Sequence, residues 1–92
     1  MTDETWNNLR KKIAEHQTFP SVYMFKFILS SDNHKIAQIE ALFNSENVPE
    51  IYLRPSNRGR YVSITVKQFV ESVEQIIKIY HLASAIPGVM IM

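Results

Sequence analysis

The stretch Ile51-Tyr52-Leu53-Arg54-Pro55-Ser56-Asn57-Arg58-Gly59-Arg60-Tyr61-Val62-Ser63-Ile64-Thr65-Val66-Lys67 decides the fold. Its second half alternates. Val62, Ile64 and Val66 fall on one side, Tyr61, Ser63 and Thr65 on the other, the period of a half-buried strand. Its first half alternates too, Ile51 and Leu53 against Tyr52 and Arg54. Between them Pro55 to Arg60 is polar and basic. Asn57 and Gly59 tolerate positive φ, so one of them is expected to turn the chain left-handed. The stretch therefore reads as a β-hairpin. Burying three β-branched side chains contributes roughly 1.5–3 kcal/mol each before entropy is charged. A slip of one residue would expose all three, which pins the register.

Upstream, Ser21 to Ser30 has the pattern of a central strand. Tyr23, Phe25, Phe27 and Leu29 share one face, and Val22, Met24, Lys26 and Ile28 the other. Both faces are largely apolar, but a lysine is almost never buried unpaired. The Lys26 face is thus expected to be the open one, and the aromatic face to meet helices. Ser31-Asp32 offers an N-cap. A helix is expected from about Asn33 to Asn44, with Ile36, Ile39, Leu42 and Phe43 as its buried stripe. Asn44 to Pro49 reads as turn.

Downstream, helical period is expected from about Phe69 to Ala85. Phe69, Val73, Ile76, Ile77 and Tyr80 form its stripe, and Pro87-Gly88 its stop. Val89 to Met92 reads as a short last strand. At the other end, Asp3 to Gln17 carries Trp6, Leu9 and Ile13 at helical spacing, and Phe19-Pro20 ends that helix. The order strand–helix–strand–strand–helix–strand is the split βαβ, ferredoxin-like pattern, an α+β fold. Right-handed crossovers put the first and third strands at the centre. The expected organisation is an N-terminal helix over residues 1–18, packed on the domain edge or mobile, and a ferredoxin-like domain over residues 19–92. Two helices are expected to cover one face of its antiparallel sheet.

Composition narrows the chemistry. The chain has 92 residues, 46% apolar and 21% charged, which suits one small globular domain. Five Phe, four Tyr and one Trp supply large core pieces. A net charge of +1 gives no overall pull toward nucleic acid or acidic lipid. Without cysteine there is no disulfide framework, thiol nucleophile or Cys-containing zinc site. The start, Met-Thr-Asp-Glu-Thr-Trp, is too polar for a signal peptide. The most apolar run, Val22 to Leu29, is far too short to span a membrane. A cytoplasmic location is expected. His16, His34 and His81 sit in separate segments with no metal-ligand spacing, and read as surface histidines. No hydroxyl stands beside a recognisable base. The sequence therefore predicts a protein that is not an enzyme and needs no cofactor.

Several of these segments together resemble the YbeD-like bacterial proteins of unknown function. They are Phe19-Pro20 before a strand holding Lys26, and Pro55 to Tyr61 running into Val62 to Val66. A helix with Glu74 and Tyr80 follows, then Ile86-Pro87-Gly88-Val89-Met90. The resemblance covers about residues 19 to 92. It implies a single ferredoxin-like domain similar to the amino-acid-sensing ACT regulatory domains, with ligand-linked regulation and no assigned catalytic residue. The chain departs from the pattern in its longer N-terminal helix. It departs also at Arg58, where a lysine or another polar residue is expected.

Two candidate sites follow. Arg54, Arg58 and Arg60 place three of the ten Lys/Arg residues within seven positions, a cluster able to hold phosphate or carboxylate. The same loop also reads as a solvated hairpin tip. The second candidate is the outward sheet face of Met24, Lys26, Ile28, Tyr52, Arg54, Tyr61, Ser63 and Thr65. It is too apolar for plain solvent surface, so a second copy or another protein is expected to cover it. Lys26 and Tyr61 join the three arginines as candidate ligand-binding residues. RNA recognition on this topology stacks bases on aromatics of the two central strands. The expected platform and its Lys/Arg-Gly-Phe-type motif are missing, which argues against nucleic acid. The leading expectation is a small regulatory or interaction module, a possible homodimer. The alternative is a small-anion or metabolite-binding domain using the basic loop.

Overall fold

A computed structural model describes residues 3–43 and 46–92. Its elements are α1 (Asp3–His16), β1 (Ser21–Ser30), α2 (Asn33–Ala41), β2 (Glu50–Pro55), β3 (Tyr61–Val70), α3 (Val73–Ser84) and β4 (Met90–Ile91). The strands form one antiparallel sheet in the order β4-β1-β3-β2. This is the ferredoxin-like arrangement with an added N-terminal helix. β1 and β3 pair along their whole length, from Ser21↔Val70 to Ser30↔Tyr61. The flanking strands are shorter, and β4 reaches only Phe27 and Ile28.

The core lies between the sheet and the helices. Phe25, Phe27 and Leu29 of β1 and Val62, Ile64, Val66 and Val70 of β3 are buried. They meet Ile39 of α2, Phe43 just beyond it, and Ile76, Ile77, Tyr80 and Ala83 of α3. The Phe25 ring is at the centre. Its centroid is 4.8 Å from Tyr23, 5.1 Å from Phe43 and 5.3 Å from Tyr80, each edge to face. Such pairs contribute about 0.5–1.5 kcal/mol beyond the area they bury. The hydroxyls of Tyr80 and Tyr23 lie 3.1 Å apart and share a hydrogen bond. Burial first, and that bond second, push the Tyr80 hydroxyl's pKa far above the ordinary tyrosine value.

The ends of the elements have local causes. Asp32 caps α2: its carboxylate accepts from the backbone N–H of His34 at 2.9 Å and of Lys35 at 3.4 Å. At α3, the Gln75 side chain accepts from the Glu71 N–H at 2.8 Å. In the hairpin, Gly59 takes the left-handed conformation at φ 69°, and Asn57 does not. A turn closes there, with the Gly59 N–H donating to the Ser56 carbonyl at 3.0 Å. Tyr61 donates its N–H to Ser56 Oγ at 3.2 Å.

One helix boundary differs from the sequence reading. Phe69 and Val70 belong to β3, and α3 begins at Val73. The alternation of Val62, Ile64 and Val66 runs two steps further, through Gln68 and Val70, because β1 is long enough to pair with all of it. A glutamine in the inward row hid that continuation. Phe69 consequently points to the open face and is not part of the α3 stripe. The other ends shift less. α3 stops at Ser84, short of Pro87-Gly88, and α2 stops at Ala41. The expected α2 end at Asn44 lies outside the described residues.

α1 packs on α3. Trp6 and Ile13 are buried and Leu9 half-buried, as one stripe requires. The Trp6 ring lies 5.3 Å from His81, and Arg10 pairs with Glu74 at 2.9 Å. That ion pair is at the surface and contributes no more than about 1 kcal/mol.

Candidate functional site: the uncovered face of the sheet

Among the described residues no helix covers the strands' second face. The register lays out its rows. Met90, Ile28, Ser63 and Arg54 stand side by side, and Thr65 and Tyr52 continue the row of Lys26. Met92 joins that row by donating its N–H to the Lys26 carbonyl at 3.0 Å. Met24, Lys67 and Glu50 form the next row, and Val22 and Phe69 the last. Among the described residues ten large apolar side chains are exposed, and seven belong to this face. They are Val22, Met24, Tyr52, Tyr61, Phe69, Met90 and Met92. Exposure of 52% at Met24 and 61% at Val22, beside 0% at Phe25, shows how sharply the two faces differ.

The face divides into two flanks. The β4–β1 side carries Val22, Met24, Ile28, Met90 and Met92, with Lys26 in their midst. The β3–β2 side carries the tyrosines and most of the polar groups. Lys67 Nζ lies 5.8 Å from the centre of the Tyr52 ring, whose hydroxyl donates to Glu50 at 3.4 Å. Three cations (Lys26, Arg54 and Lys67) thus face one carboxylate, that of Glu50.

Arg54 and Tyr61, both singled out in the sequence, do come together. With Ser56, Asn57, Ser63 and Ile28 they line an open hollow of about 370 Å³ at the hairpin end of the face. Lys26 lies in an adjoining small hollow that shares Ile28 and Ser63 and is closed by Met92. Arg58 and Arg60 do not line either one, because the Ser56–Gly59 turn carries them past the sheet. The aromatics Tyr61 and Phe69 stand at opposite ends of β3, roughly 26 Å apart at ~3.3 Å per residue. They do not form a contiguous stacking surface.

A second feature escaped the sequence. Gln68 is 4% exposed. Its amide nitrogen donates to the carbonyls of Asn47 at 3.1 Å and Phe69 at 3.2 Å, while its oxygen is buried without a partner. It lies in the wall of a cavity of about 270 Å³ between the end of α2 and α3, beside Phe43, Val70, Lys78 and Ile79. The only signal for it was the alternation running on past Val66. Among the described residues no three His, Cys, Asp or Glu side chains are grouped to hold a metal ion, and no helix is long and apolar enough to cross a membrane.

No curated protein and no solved structure matches the chain significantly. A family model described as a protein of unknown function, DUF493, matches residues 14–92. That span includes the β1–β3 ladder, both sheet-covering helices and every candidate residue of the uncovered face. The chain belongs to this family, the YbeD-like proteins that its strand and hairpin motifs resemble.

Proposed function

We propose that the chain is a regulatory or interaction module with no catalytic activity of its own, and that its uncovered sheet face binds a protein. The concentration of exposed apolar side chains on that one face carries the reading. The 28 strand residues, each covering ~4.8 Å by ~3.3 Å, give a plan area on the order of 450 Å². A standard interface buries about 800 Å² per partner, so the face supplies roughly half of one. The charge pattern supports a partner of one chemistry. Lys26 stands among Met24, Ile28 and Met92, and burying it unpaired would be costly. The fitting partner is an apolar protein surface that brings a carboxylate to Lys26. A second copy laid face to face would instead bring cations against cations.

A photo-crosslinking phenylalanine derivative at Tyr52, compared in cells with the same group at Gln38 on exposed α2, tests this. The expected result is an adduct at position 52 alone, not of twice the chain mass, that disappears with Lys26→Glu. No adduct, or one indifferent to Lys26→Glu, overturns the reading. An adduct of twice the chain mass assigns the face to a second copy.

The Arg54 hollow supports a second reading, a site for a small anion. Ser56, Asn57 and Ser63 surround Arg54 there with short polar groups. Inorganic phosphate and small carboxylates should then raise the melting temperature, and Arg54→Ala should abolish the rise while Arg58→Ala leaves it. No rise with any of them removes this reading.

A further inference from the structure

Gln68 is a polar side chain in an inward row that is otherwise apolar. Val62, Ile64, Val66 and Val70 share the row with it, and all of them are buried. Its amide nitrogen donates to two carbonyls, those of Asn47 and Phe69. These fix the orientation of the amide, because a flipped one would set its oxygen against both. The oxygen is the group left over, buried and without a partner. An unmade acceptor in a fold is costly and calls for a reason. Here the reason lies alongside, in the cavity of about 270 Å³ whose wall includes Gln68.

The lining of that cavity has a direction. Phe43 and Val70 are buried, and Leu42 and Ile79 partly so; together they make an apolar floor. Glu71, Gln75, Lys78 and Leu82 recur along the opposite side at helical spacing. Gln75 accepts from the Glu71 N–H. Lys78 is exposed and, among the described residues, has no ion pair or hydrogen bond. Glu71 stands seven residues earlier, roughly 10 Å back at ~1.5 Å per residue, so the two charges mark opposite ends. The bond from Gln68 to the Asn47 carbonyl ties the α2–β2 connection to β3, which builds this wall into the fold. The volume is that of about nine waters at ~30 Å³ each, just under the ~300–1,000 Å³ of drug-sized pockets. It suits a small molecule and not a peptide segment.

We propose that this cavity binds a small apolar acid that carries a hydrogen-bond donor. Its apolar body rests on Phe43, Val70 and Ile79. An N–H or O–H gives the Gln68 oxygen its missing partner, and the anionic group meets Lys78. Glu71 fixes the direction, since it repels an anion at its own end. A molecule of the same shape without a donor leaves the Gln68 acceptor sealed in and unpaired. A cation in place of the acid meets Lys78 with like charge. Water is the competing occupant: it satisfies the oxygen but gains nothing from the apolar floor or from Lys78. The uncovered sheet face takes no part in this site, although Phe69 borders both.

Three small probes of similar shape test it on the purified full chain, followed by amide chemical shifts. Indole-3-acetate has the ring body, the N–H and the carboxylate. 1-Naphthaleneacetate lacks the N–H, and tryptamine carries an ammonium in place of the acid. Indole-3-acetate should saturate, with shifts centred on Phe43, Val70 and Ile79. The naphthalene acid should bind about tenfold more weakly, and tryptamine more weakly still. Lys78→Glu, a change at an exposed position, should weaken indole-3-acetate about tenfold or more and strengthen tryptamine. No saturable shift with any probe up to about 10 mM leaves water as the occupant and overturns the proposal. Equal binding of the two acids, or binding indifferent to Lys78→Glu, overturns it as well. Lys26→Glu, which ends face binding in the reading above, should leave the indole-3-acetate shifts unchanged. Their loss in that variant would place the probe on the sheet face and overturn the proposal.

Discussion

Phe25 and Met24 are neighbours in one strand and belong to different worlds. Phe25 is sealed among three aromatic rings, and Met24 stands half in water on the uncovered face. The same alternation made both. A strand with two apolar faces buries one to fold and keeps the other for something else. The comparison teaches that apolar content in this chain has two purposes, and that only covering tells them apart.

The largest test breaks the pair directly. Phe25→Ala should destabilise the fold by about 3–5 kcal/mol, enough to threaten a domain of this size, because it leaves a cavity at the centre of the ring cluster. Met24→Ala should change stability by no more than about 0.5 kcal/mol. Urea unfolding followed by circular dichroism measures both, and similar losses at the two positions would erase the distinction between the faces. A second test sharpens the covered side. Tyr80 has its pKa raised in the fold, so below about pH 10 both folded and unfolded states hold the proton and the contribution is fully present. As pH rises past 10 the unfolded chain loses that proton and the folded chain keeps it. Stability should fall by up to about 1.4 kcal/mol per pH unit above that point, and Tyr80→Phe should flatten the slope. The smallest effect belongs to the open side. Lys26→Glu should leave the unfolding free energy within about 0.5 kcal/mol of the parent, since no bond among the described residues uses its side chain. A large loss would mean that Lys26 has a structural duty.

Much of this was legible in the sequence, for physical reasons. Alternation in β1 and β3 named the inward rows. Lys26 named the open face, because an unpaired lysine does not bury. What was missed turned on Gln68. A polar residue in an inward row reads as the end of a strand, so the last two residues of the ladder, Phe69 and Val70, read as helix in the sequence. The same spacing sends Phe69 inside and gives no sign of the cavity beside Gln68. The arginine cluster was legible as a cluster but not as a site. Which of Arg54, Arg58 and Arg60 meets the Ser63 row depends on a left-handed glycine, and linear spacing cannot say which.

The seam between α1 and α3 has a use of its own. Trp6 is the single tryptophan of the chain, and its ring rests against His81 at the α1–α3 contact. Its emission therefore reports whether that helix is docked and is nearly blind to the sheet. The tyrosine signals of Tyr23 and Tyr80 report the ring cluster beneath. The molecule thus carries two optical channels, one per layer. Recording both through a single unfolding curve would show whether the first helix leaves before the sheet or with it.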